Sequence, residues 1–120
     1  MELRTISRGN NAAAKPSQPQ AIAVTNEADY RRQWPSVIGA GEAPAVDFAK
    51  ESVVFLLAGS KPTGGWSVEA RGVTVEGETL VVDAAIHAPP PGAIVTQAFT
   101  SPYAVIAVST KLFKDVRWTP

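Results

Sequence analysis

Val53-Val54-Phe55-Leu56-Leu57-Ala58 is a run of six apolar residues with no polar residue at either parity. A strand sends successive side chains to opposite faces, so a run of this kind predicts a central strand covered on both sides. Tyr103-Ala104-Val105-Ile106-Ala107-Val108 repeats the pattern and predicts a second such strand. Two doubly covered strands need material above and below them, which the rest of the chain must supply.

Between these runs lie segments of the half-buried kind. Trp66, Val68 and Ala70 alternate with Ser67, Glu69 and Arg71, but beyond Gly72 the apolar residues are Val73 and Val75, so the phase slips by one. A bulge at or near Gly72 accounts for the slip. Glu76-Gly77-Glu78 reads as a hairpin connection to a strand with Leu80, Val82, Ala84 and Ile86 on one face. Pro89-Pro90-Pro91-Gly92 ends that strand, since proline donates nothing to a ladder. Residues 94–99 fit either a short strand or an extended loop, and Thr100-Ser101-Pro102 fits a turn. Phe113, Val116 and Trp118 suggest a final edge strand.

Upstream, residues 2–9 predict a short strand and residues 21–24 another. Residues 10–20, rich in Ala, Ser, Pro and Gln, read as a mobile polar loop. One helix is expected over about 26–34. Thr25 or Asn26 caps it, Glu27 and Asp29 suit the positive end of the dipole, and Tyr30 and Trp34 share a face. Pro35 is expected to close it. The fold class predicted is mainly β: a small sandwich or partly open barrel with one short helix, in a single domain spanning 1–120 with its β core at 47–118.

The 120 residues hold 45% hydrophobic side chains, enough for one core without metal or disulfide staples. Eleven basic residues balance eleven acidic ones, which argues against nucleic acid or an anionic membrane as partner. With no cysteine, disulfides, zinc-thiolate sites and cysteine nucleophiles are excluded. No run approaches the roughly 18 apolar residues of a membrane-spanning helix, so direct membrane insertion is not expected. Residues 1–5 lack the apolar core of a signal peptide, which fits a cytoplasmic protein or one whose leader has been removed.

Catalytic chemistry finds little support. The single histidine, His87, stands four residues after Asp83, roughly 13 Å along a strand, and reads as a solvent-face side chain. Zinc usually takes three or four ligands, so no metal site is expected. Ser60, Ser67 and Ser101 lack the surround of a nucleophile elbow. The glycines of residues 59–65 lead into a strand, whereas a phosphate cradle opens a helix, so no cofactor is expected either.

Two segments stand apart. Lys61-Pro62-Thr63-Gly64-Gly65-Trp66 is either a tight turn with Trp66 in the core or a rigid loop offering Lys61 and Thr63 to a partner. In Val95-Thr96-Gln97-Ala98-Phe99-Thr100-Ser101-Pro102-Tyr103, the two aromatic residues are expected in the core and the hydroxyls on turn amides.

Together these segments resemble the PrcB C-terminal-like family of protease complex subunits. Val46-Asp47-Phe48, Ser52-Val53-Val54, Gly59, Ser67-Val68 and Pro91-Gly92 add to the resemblance, as does the helix ending at Trp34, so it spans most of the chain. Trp66 stands where the family usually has tyrosine. The resemblance implies a bacterial, exported or lipoprotein-like protein that assembles with a secreted subtilisin-like peptidase, and it carries over no catalytic residue.

The loop at 61–66 also resembles, more loosely, the Asn-Pro-Thr-Thr-Gly-aromatic loop of chagasin-type inhibitors of papain-like peptidases, with Val116-Arg117-Trp118 faintly similar to their third loop. The function expected is a non-catalytic protein-binding domain, an accessory subunit of a secreted peptidase in an extracytoplasmic location. The alternatives are a chagasin-like inhibitor and a purely structural domain of an exported protein. The surface expected to bind comprises Lys61, Thr63, Gly64, Gly65, Trp66, Pro90 and Pro91, the two loops meeting at one end of the hairpin.

Overall fold

The computed structural model describes residues 2–39 and 41–119; Met1, Ala40 and Pro120, and with them the expected domain limits at 1 and 120, lie outside the described residues. In chain order the elements are β1 (Leu3–Gly9), β2 (Gln20–Val24), α1 (Glu27–Val37), β3 (Ser52–Leu57), β4 (Ser67–Glu76), β5 (Thr79–His87), β6 (Tyr103–Val108) and β7 (Asp115–Thr119). All six residues of β3 are buried, and all of β6 except the half-buried Tyr103.

These two strands sit side by side at the centre of an antiparallel sheet ordered β1-β6-β3-β2. On one face Val53, Phe55, Leu57 and Val105 pack under α1, against Tyr30, Trp34 and Val37. On the other, Val54, Leu56, Ala104 and Ile106 meet Val68, Leu80, Val82 and Ala84 from a three-stranded sheet ordered β4-β5-β7. The double covering expected from the two apolar runs is thus supplied by a helix on one side and a sheet on the other. The arrangement is mainly β and sandwich-like, with no closed barrel.

The β4–β5 register shifts between Ala70 and Gly72, where the slipped alternation placed a bulge. The bulge returns Val73 and Val75 to the inner face, where they pack on the core between the sheets. β7 is an edge strand, and it pairs with β5 in parallel. Its Trp118 indole donates to the Ala84 carbonyl at 2.8 Å.

Asn26 caps α1 by accepting from the Asp29 amide, as its position implied. The helix does not stop at Pro35 but continues to Val37. Only the bond to the Arg31 carbonyl is forfeited, near the helix end, and burial of Val37 and Ile38 draws the last turn inward. Tyr30 donates to the Pro44 carbonyl at 2.8 Å, and burial pushes its hydroxyl up to about 12.

The polar stretch 10–20 is also tied down more firmly than its composition suggested. Ala12 is buried in the core under α1, and the amides of Ala13 and Ala14 donate to Ile38 and Val37. Small alanines let this backbone lie against the helix end, which a reading of polarity alone misses.

Candidate functional site

Three segments meet at one end of the sandwich: residues 10–12 after β1, 58–66 between β3 and β4, and 88–102 between β5 and β6. They are knitted through the backbone. The Lys61 amide donates to the Thr100 carbonyl at 2.7 Å and the Thr100 amide returns the bond at 2.9 Å. The Gly64 amide donates to Thr96, the Ala58 amide to Pro102, and the Ser101 amide to Asn10.

The hydroxyls complete the brace, donating to carbonyls rather than receiving from turn amides. Thr100 Oγ1 donates to the Thr63 carbonyl at 2.8 Å, and buried Ser101 donates to the Ala12 carbonyl at 2.7 Å. Thr63 Oγ1 bonds to the Gly64 carbonyl.

The expected contact residues divide between this brace and the surface. Gly64 is buried, Lys61 and Thr63 are half-buried, and Gly65, Pro90 and Pro91 are exposed. Gly65 has φ +87, and a Cβ there would meet Pro89 at 2.8 Å and Val95 at 2.9 Å, so the two loops touch at this glycine. The shared end expected of the loops is present.

Trp66 does not plug the core. It precedes β4, is half-buried, joins neither core cluster, and lies under the Lys61 ammonium, 4.9 Å from its ring centre. Replacing it with alanine is expected to cost about 1 kcal/mol, rather than the roughly 3–5 kcal/mol of a core aromatic. Urea denaturation of Trp66→Ala measures the difference directly.

Residues 93–99 form a loop and not a strand. Phe99, expected in the core, is 79% exposed, and Ile94 is fully exposed; of the large apolar residues described, only Leu112 is comparably bare. Two signals pointed to a loop rather than a strand here, though not to the exposure of Phe99. Ile94, Val95, Ala98 and Phe99 do not alternate, and fifteen residues between two strands exceed an ordinary connection. Tyr103, by contrast, packs against the core under α1 as expected.

His87 lies on the solvent face, as read from its isolation. Its Nε2 is 3.0 Å from Glu69 Oε1 across the β4–β5 pair, and that contact holds the Glu69 carboxyl below its ordinary range. Ser67 is opposite His87 in register but makes no hydrogen bond to it. Among the described residues no group of three His, Cys, Asp or Glu is arranged to hold a metal ion. Nor is any helix of those residues long and apolar enough to cross a membrane.

Val116-Arg117-Trp118 is not a loop at this end. It lies within β7, with Leu80, Val81 and Val82 as its neighbours. The similarity to chagasin-type inhibitors is therefore not shown.

No curated protein and no solved structure matches the chain. A family model does match, under the description PrcB C-terminal, over residues 52–109. The match starts at β3 and ends just past β6, so Val46-Asp47-Phe48 and α1 lie outside it. It takes in the whole β4–β5 hairpin and both braced loops. Over residues 52–109 the chain is therefore similar to the PrcB C-terminal family, in line with the resemblance its motifs carry.

Proposed function

We propose that this chain is a non-catalytic protein-binding domain, an accessory subunit that docks on a peptidase outside the cytoplasm. The observation that carries the reading is the exposure of Ile94 and Phe99 on a loop whose other side is hydrogen-bonded to residues 61–64. Two large apolar side chains left bare on one loop offer an apolar surface to a partner, and a braced loop loses little entropy when it docks. Pro90, Pro91 and Gly92 are exposed beside them and extend the surface. The family's protease-complex subunits support a peptidase as the partner. On this reading Lys61, Thr63 and Gly64 support the docking loop from behind, while Ile94, Phe99 and Pro90 touch the partner.

The test is gel filtration with a panel of subtilisin-like and papain-like peptidases, with activity assayed in each fraction. Co-elution with retained activity is expected, and Phe99→Asp is expected to abolish it without lowering the melting temperature. Undiminished capture by folded Phe99→Asp would remove the loop from the interface. No capture by the unaltered protein overturns the peptidase reading.

A further inference from the structure

A cleft of about 390 Å³ opens at the seam between the two sheets. Arg8 and Gly9 at the end of β1, Trp66, Ser67 and Val68 at the start of β4, and Tyr103 line it. Both strands are outer strands of their sheets, so each has one row of backbone groups with no ladder partner.

The free edges are not uniform. β1 has a register break between Thr5 and Ser7, and β4 has one between Ala70 and Gly72. Bulges interrupt further pairing and are a common guard on sheet edges. Beyond the breaks, Ser7 to Gly9 and Ser67 to Ala70 stay regular, and both stretches end at the cleft. The unguarded part of the β4 edge is about four residues, or about 13 Å, long.

Cations outnumber acids around the cleft. The Arg8 side chain enters no ion pair or hydrogen bond among the described residues, and the Lys61 ammonium has only the face of Trp66. Glu69, on the same strand as Ser67, is held by His87, and Arg8 also attracts its carboxylate through space. Arg8 on the cleft lining and Lys61 over the indole thus stand beside an open backbone edge, with Glu69 as the acidic neighbour of Arg8.

We propose that this cleft binds an extended acidic peptide segment of a partner protein, which adds as a short strand to the β4 edge at Ser67 and sets a carboxylate between Arg8 and Lys61. Backbone bonds supply affinity in such strand addition, and the alternating side chains supply selectivity. The carboxylate side chains of an alternating segment share one face and meet the two cations, while the intervening side chains lie on the other face.

The proposal goes beyond the peptidase reading and is tested without a peptidase. The probe is a dye-labelled, end-blocked hexapeptide of alternating valine and glutamate, followed by fluorescence anisotropy. It is expected to bind, and Arg8→Glu is expected to weaken binding at least about tenfold, as loss of a charge-assisted bond does. A peptide with glutamine in place of glutamate, or with N-methylated alternate amides, is expected to lose binding to a similar degree. Arg31→Glu, on the exposed surface of α1, controls for general charge and is expected to change nothing. Absence of binding by the acidic peptide, equal binding by the glutamine peptide, or unchanged binding by folded Arg8→Glu each overturns the proposal. Loss of peptidase capture by Phe99→Asp is read in a different assay, so either hypothesis can fail while the other stands.

Discussion

Phe55→Ala is expected to remove about 3–5 kcal/mol of stability, the range for deleting a buried aromatic from a core. Phe55 is fully buried at the centre of β3, and its ring centre lies 6.0 Å from Trp34 and 6.3 Å from Tyr30. Tyr30 in turn stands 5.3 Å from Phe48, so four rings form one cluster between the helix and the sheet. Removing the ring nearest the sheet leaves a void that the flat strand cannot collapse to fill. A domain of this size has on the order of 5–15 kcal/mol in total, so the variant would lose a large share of it. Urea titration followed by tryptophan fluorescence measures the change, with an unaltered slope expected if unfolding stays two-state. A loss under about 1 kcal/mol would show that α1 does not pack on this face as described.

Gly59→Val is the second large effect, and it acts through the backbone. Gly59 has φ +86, a conformation that costs a β-branched residue about 1–3 kcal/mol. A Cβ there would also stand 2.7 Å from the carbonyl oxygen of Pro16, a backbone atom that cannot swing aside. The combined loss is expected to exceed about 2 kcal/mol, with strain and overpacking adding. Gly72→Val supplies the contrast. At Gly72 φ is not positive, a Cβ meets nothing within 4 Å, and the position lies in a strand, so the same substitution should be close to neutral. Comparable denaturation midpoints for the two variants would refute the argument from local geometry.

The parts of this structure that were legible in the sequence are those governed by periodicity. The runs at 53–58 and 103–108 gave two doubly covered strands, and the slip at Gly72 gave a bulge, because burial on a pleated sheet leaves an imprint of period two. Where burial is set by distant partners, the imprint is lost. Ala12 is polar in context yet buried, since Ser101 and Ile38 approach it from far along the chain. Pro35 stands inside a helix because Val37 and Ile38 have a core to enter. At the candidate site, the meeting of loops 59–65 and 89–92 followed from the hairpin between them. The exposure of Phe99 did not follow, because an aromatic ring carries no mark of whether its loop folds inward or outward. Nor did the cleft, whose Arg8 and Trp66 come together only through sheet order, which no local pattern encodes.

The ladder of the four-stranded sheet has a kinetic consequence. Its pairings are β1 with β6, β6 with β3, and β3 with β2, and none is a hairpin; Leu3 faces Val108. The β4–β5 turn is the one place among the described strands where neighbours in sequence pair at once. Every other ladder must close a long loop before any bond rewards it, an entropic toll that grows with the logarithm of loop length. Chains with this kind of topology fold on the order of milliseconds to seconds, slowly for their size. During that interval the apolar strands at 52–57 and 103–108 lie uncovered, so the domain's exposure to misassembly is greatest before β3 and β6 find each other.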